Sequence, residues 1–149
     1  MSIREEIQQK KFRNNYQQAA INLIYTHSWL ANKHKDFFNK FGITSQQYNI
    51  LSILRGQHPH RISGAEIKLR MMDKNSDVSR LLDRLIAKNL VEKNQCPNDK
   101  RAADISINED GLELLKTIDT QTAELDQLVS KLTESEAAQL SELLDKIRG

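Results

Sequence analysis

Along most of the chain, apolar residues recur at three- and four-residue spacing, the mark of helices that bury one face. Phe12, Tyr16, Ala19, Ala20, Leu23, Ile24, His27, Leu30 and Ala31 predict one long helix from about Ile7 to Ala31. A short segment from Lys35 to Phe41 carries Phe37, Phe38 and Phe41, and Gly42 stops it. Thr44 or Ser45 can cap the next helix, with Tyr48, Ile50, Leu51, Ile53 and Leu54 inward, and His58-Pro59-His60 ends it. Ile62-Ser63-Gly64 leads into a short helix through Met72, whose Ala65, Ile67, Leu69 and Met71 or Met72 supply core contacts. Asp73-Lys74-Asn75-Ser76 is a polar turn. A second helix, about Asp77 to Lys88, buries Val78, Leu81, Leu82, Leu85 and Ile86 on one stripe. Two short helices across a polar turn make a helix-turn-helix.

The period then changes from helical to two. Ala103, Ile105 and Ile107 alternate with Asp104 and Ser106, which predicts a half-buried strand. Leu90 to Cys96 and Ala102 to Ile107 are two antiparallel strands around Pro97-Asn98-Asp99-Lys100, a turn sequence. Asn108 can cap a final helical region with the stripe Leu112, Leu115, Ile118, Leu125, Leu128, Val129 and Leu132. Thr133-Glu134-Ser135-Glu136 is a capping box for a last helix carrying Ala137, Leu140, Leu143, Leu144 and Ile147. The fold class is therefore mainly α with a small antiparallel β-hairpin: a winged helix-turn-helix flanked by N- and C-terminal dimerisation helices. One domain over residues 1–149 is expected, with residues 43–107 as the DNA-binding lobe and 1–42 and 108–149 as dimerisation helices. Two long apolar stripes exceed what so small a central module can cover, which favours pairing with a second copy.

Composition narrows the class. Only 5 Gly and 2 Pro occur in 149 residues, which favours long helices. No apolar run approaches the roughly 20 residues of a membrane span, and the N-terminus has no apolar secretory core. A single cysteine, Cys96, cannot form an internal disulfide, as expected of a cytoplasmic protein. The net charge of +2 conceals an uneven distribution. Residues 55–104 hold 11 basic and 7 acidic side chains, and residues 105–149 hold 4 and 10. A polyanion would be steered to the middle of the chain.

Three segments resemble the MarR (multiple antibiotic resistance regulator) family of winged-helix transcription regulators. They are Ile43-Thr44-Ser45-Gln46-Gln47-Tyr48-Asn49-Ile50-Leu51, the run from Val78-Ser79-Arg80-Leu81-Leu82-Asp83-Arg84-Leu85 through Leu90-Val91-Glu92-Lys93, and the wing tip Asp99-Lys100-Arg101-Ala102. Asn108-Glu109-Asp110-Gly111 resembles the entry to the family's next helix. The chain departs from the pattern at the turn Met71-Met72-Asp73-Lys74, which lacks a glycine, at Asn89, where glycine is usual, and at Asp77, where a small neutral residue is common.

Candidate DNA contacts are Lys74, Asn75, Ser76, Asp77, Ser79, Arg80, Arg84, Lys93, Lys100 and Arg101. Arg80 and Arg84 lie four apart, off the apolar stripe, and can fork onto guanine or pair with phosphate. Asp77 can accept from a base amino group or orient a neighbouring cation. Arg101 on a narrow hairpin can enter the minor groove, braced by Asp99. The resemblance further implies a small aromatic effector in a cleft, for which Tyr25, His27, Trp29, Phe37, Phe38 and Tyr48 are candidates. Cys96 is a candidate redox site. His27, His34, His58 and His60 lack partners at zinc-ligand spacing, and no phosphate loop or nucleophile motif occurs, so neither metal, cofactor nor enzyme activity is expected. The expected function is an effector-responsive repressor acting as a homodimer on a pseudo-palindromic double-stranded operator. The alternative is a winged-helix protein-interaction scaffold that has lost DNA binding.

Overall fold

The computed structural model describes residues 1–96 and 99–149, with side chains described for all but residues 95–103. In chain order the elements are α1 (Ile3–Glu6), α2 (Asn15–Asn39), α3 (Ser45–Gln57), β1 (Ile62–Ser63), α4 (Gly64–Arg70), α5 (Val78–Ala87), β2 (Val91–Cys96), β3 (Asp99–Ile107), α6 (Glu109–Asp119), α7 (Ala123–Gln127) and α8 (Glu134–Arg148). The three strands form an antiparallel sheet in the order β1-β3-β2. Ile62 and Lys93 flank Ile105 in register, and Val91 pairs with Ile107.

The N-terminal helix differs from the sequence expectation at both ends. It starts at Asn15 because Asn14 accepts from the Gln17 backbone N–H at 2.9 Å, while the Gln17 side chain accepts from Arg13 N–H at 2.7 Å. Residues 7–14 lie outside any helix, and Gln8 there has φ of +53°. At the other end α2 runs through residues 32–34 without a break, since nothing in Asn32-Lys33-His34 interrupts a helix. The separate 35–41 segment is its last turns, closed at Gly42, which adopts φ of +70°.

The C-terminal region also divides. After α6 the hydroxyls of Thr120 and Thr122 bond back to the carbonyls of Thr117 (2.6 Å) and Asp119 (3.1 Å), and the helix yields to a turn before α7. The expected capping box of α8 is present, Thr133 and Glu136 exchanging bonds of 3.0 and 3.1 Å.

One core joins all of this. Ile50, Leu51 and Leu54 of α3 meet Ile67, Met71, Leu81, Leu82 and Leu85 of the helix-turn-helix, Ile105 of the sheet, Phe37 and Phe38 of α2, and Leu115 and Ile118 of α6. The core therefore crosses the expected lobe boundaries near residues 42 and 108. On α4 only Ile67 is buried. Ala65 and Leu69, expected inside, are exposed, because a helix of seven residues presents too little face to bury them, and of Met71 or Met72 it is Met71 that enters the core.

Candidate nucleic-acid interface

The helix-turn-helix is α4, the turn 71–77 and α5. Val78, Leu81, Leu82 and Leu85 anchor α5 in the core, which leaves Ser79, Arg80, Asp83 and Arg84 exposed. Asp77 is its N-cap, accepting from Arg80 N–H at 3.2 Å. The turn has no glycine, and α3 supplies the bracing instead. Asn49 accepts from Met72 N–H at 2.9 Å, and Gln46 donates to Asp73 at 3.3 Å. Asp73 in turn accepts from Asn75 N–H at 2.9 Å, closing a side-chain turn of its own.

The far end of α5 is closed by a Schellman motif. Asn89 takes φ of +59°, its N–H bonds Ile86 O at 2.9 Å, and Leu90 N–H reaches Leu85 O at 3.0 Å. Asn89 thus does what glycine does elsewhere, and its side chain adds a bond to Asp110 at 3.1 Å. Asn108 caps α6 through Gly111 N–H (2.9 Å) and donates to Asn89 O at 2.8 Å. A Cβ on Gly111 would lie 2.4 Å from Leu90 O, so only glycine lets α6 approach this joint.

Between α4, α5 and the sheet runs an open groove. It gathers five of the sequence candidates, Asn75, Ser76, Asp77, Ser79 and Lys93, and adds Lys68, which the sequence reading missed. Ser76 is buried, and its hydroxyl has no partner. Lys74 is drawn back to the end of α4, its ammonium donating to Leu69 O. Arg80 stands exposed on α5. Arg84 lines a second, shallower concavity beside Gly42, Thr44 and Gln47, where Lys88 donates to Gly42 O. Among the described residues neither Arg80, Arg84 nor Lys93 forms an ion pair. Two cations that do pair serve the frame, Arg55 with Asp119 at 2.7 Å and Lys40 with Glu124 at 2.5 Å, while Arg70 pairs with Glu66 within α4 and Arg148 with Asp145 within α8.

The wing is β2 and β3. The side chains of Cys96, Asp99, Lys100 and Arg101 lie outside the described residues. The six candidate cleft residues divide into two groups. Phe37 and Phe38 are buried, and Tyr48 stacks on Phe38 at 4.4 Å between ring centres. Tyr25, His27 and Trp29 are exposed on α2, with Tyr25 donating to Glu6 at 2.8 Å. That bond raises the Tyr25 pKa. Burial against Phe38 lowers that of His34. No group of three His, Cys, Asp or Glu side chains placed to hold a metal ion occurs among the described residues, and no described helix is long and apolar enough to cross a membrane.

A sequence model of the MarR family matches residues 43–103, the span from α3 to the wing. The HTH-type transcriptional repressor MdtR of Bacillus subtilis (strain 168) is 30% identical over 109 residues, 72% of this chain and 69% of its own length. The chain belongs to the MarR family. Another relative, the HTH-type transcriptional regulator MhqR of the same organism, is 29% identical over 119 residues, 78% of this chain and 77% of its own. The similarity extends past the matched domain in three dimensions. The S. aureus MepR–DNA complex superposes with a TM-score of 0.70 at 25% identity, covering 92% of this chain and 97% of that one. The MarR-family frame thus includes the terminal helices as well as the helix-turn-helix and wing. The missed residues Gln46 and Asn49 left one trace in the sequence, as polar positions within the family-like segment 43–51.

Proposed function

We propose that this chain is a homodimeric repressor that reads a pseudo-palindromic operator with α5 in the major groove and the wing alongside. One observation carries this: α5 is fixed at both ends by bonds to its neighbours, yet Arg80 and Arg84 on its outer face meet no described carboxylate. Uncommitted guanidinium groups on a rigid helix suit bidentate contacts to guanine or phosphate. Lys68 and Lys93 border the adjoining groove and suit phosphate contacts at its edge. Relatives named as transcription regulators and one solved with DNA support the same reading and none is named as an enzyme.

Pairing of two chains is supported by apolar side chains that the single chain leaves uncovered. Ile24 on α2 is 67% exposed, and Leu143 and Ile147 on α8 are 53% and 68% exposed. Half-site reading needs such a pair. An aromatic effector seat falls to the exposed Tyr25–Trp29 stretch of α2, whose rings stay outside the core. Lys100 and Arg101 at the wing tip are assigned to phosphate and minor-groove contact.

The test is binding of the full chain to genomic DNA fragments by fluorescence anisotropy, with Arg80→Ala and Arg101→Ala as variants. Arg80→Ala is expected to lose about 1–3 kcal/mol of specific affinity with unchanged circular dichroism, because the Arg80 side chain pairs with no carboxylate among the described residues. Arg101→Ala is expected to lower the salt slope by roughly one unit. Unaltered affinity and slope in both would overturn the proposal.

A further inference from the structure

Asp77 is one of two carboxylates, with Asp83, that line a groove proposed for a polyanion. It sits at the leading end of α5, exposed, and lines the same groove as Lys68 and Lys93. One carboxylate oxygen is committed to the cap on Arg80 N–H at 3.2 Å. The other has no partner among the described residues, and neither groove lysine pairs with it. It therefore does not orient a described cation. The buried, unpaired hydroxyl of the adjacent Ser76 lines the same groove. The leading end of α5 thus leaves one exposed Asp77 oxygen without a described partner, beside a buried Ser76 hydroxyl that nothing within the described chain satisfies.

A free carboxylate oxygen only accepts. Within the major groove the donors are the amino groups of cytosine (N4) and adenine (N6), whereas guanine N7 and O6 and thymine O4 are acceptors that repel it. Against phosphate a carboxylate lowers affinity, so its contribution to binding is discrimination between sequences. We infer that Asp77 is a specificity-determining residue, accepting a hydrogen bond from a cytosine or adenine amino group at one position of each half-site and rejecting guanine and thymine there. This rests on the DNA-reading role proposed above.

The experiment is selection from a randomised duplex library by the full-length protein and by Asp77→Ser and Asp77→Asn. Both replacements are good N-caps, so a purely structural role predicts no change in base preference. A serine hydroxyl donates as well as accepts. Asp77→Ser is therefore expected to tolerate guanine and thymine at one position per half-site, with preferences elsewhere kept. The parent's discrimination there, about 5- to 150-fold, should fall towards unity. Asp77→Asn is expected to lose any cytosine preference while retaining adenine. If Asp77→Ser fails to fold, Asp77→Thr, whose hydroxyl also caps, donates and accepts, takes its place with the same expectation. Parental preferences at every position in the folded hydroxyl variant, or loss at all positions together, overturn the assignment while leaving DNA reading intact. A parent that enriches no sequence overturns the DNA-reading role itself.

Discussion

Gly111→Ala tests whether α6 and the recognition helix share one tightly set joint. Gly111 lies in the first turn of α6, and an added methyl would sit 2.4 Å from Leu90 O and 2.6 Å from Ile107 Cγ1. Reaching ordinary contact requires α6 to retreat by about 1 Å from a backbone carbonyl that cannot swing aside, an overpacking cost of about 1–3 kcal/mol. The retreat also strains the Asn108 N–H bond to that carbonyl, 3.2 Å long, and the Asn108–Asn89 bond. Opposing this is alanine's helix propensity, at most about 1 kcal/mol over glycine and less in a first turn. The clash wins, with a net loss of about 1–2 kcal/mol, each kcal/mol worth about 2–4 °C in a chain of this size. Gly56, in α3 with nothing within 4 Å of its would-be Cβ, is the control. There the same substitution should stabilise by about 0.5–1 kcal/mol. Thermal melts of both variants measure this directly. A Gly111→Ala protein as stable as the parent, or more so, would show that propensity rather than close approach governs the site.

Leu143→Glu with Ile147→Glu should turn a dimer into monomer in analytical ultracentrifugation, leaving the fold intact because both side chains are already exposed in the single chain; an unchanged dimer would place the interface elsewhere. His34 should make stability pH-dependent. Its pKa is held below the ordinary 6.5 by burial, so as pH falls below 6.5 the unfolded chain takes up protons that the folded chain resists, and stability drops. Urea midpoints of the parent and His34→Leu between pH 7.5 and 5.5 should diverge on the acid side, and parallel curves would rule out this contribution. Trp29 is the single tryptophan and is 40% exposed, so a small phenolic acid bound beside it should alter its emission in a saturable way; unaltered emission would remove Trp29 from any effector seat.

What the sequence revealed depended on how local the cause was. The alternation Ala103-Ile105-Ile107 gave the strand, and the 78–86 stripe gave α5, because each pattern is complete within ten residues. Asn89 was legible as a helix terminator from the left-handed tolerance of its side chain alone. The start of α2 was not, since it turns on an exchange among Arg13, Asn14 and Gln17 that outweighs the apolar period running through it. The two-residue β1 was legible only as a strand-like lead-in; its pairing with β3, some 40 residues away, was not. The turn before α5 posed the same difficulty. Its missing glycine could be noted from sequence, but Asn49 and Gln46, some 25 residues away, are what hold it. The groove required three elements to converge, so Lys68 could not be chosen over other exposed lysines. The six aromatic candidates looked alike in sequence, and only tertiary packing separates the three at the core, Phe37, Phe38 and Tyr48, from the three exposed on α2.

The strength of these joints bears on how a signal on the terminal helices could reach α5. Phe37 and Phe38 of α2 and Leu115 and Ile118 of α6 belong to the same core as Leu81, Leu82 and Leu85. Each such buried side chain is worth about 1.5–3 kcal/mol. The half-exposed ion pairs Arg55–Asp119 and Lys40–Glu124 are worth about 0–1 kcal/mol each. A perturbation of one or two kcal/mol can therefore open the ion pairs but not rotate α5 within its packing. With its leading turn held by Asn49 and its end by Asn89, Asn108 and Gly111, α5 moves together with α3, α4 and the sheet. In a dimer, the separation of two such units is the quantity left free to change, and an operator with fixed half-site spacing responds to that separation.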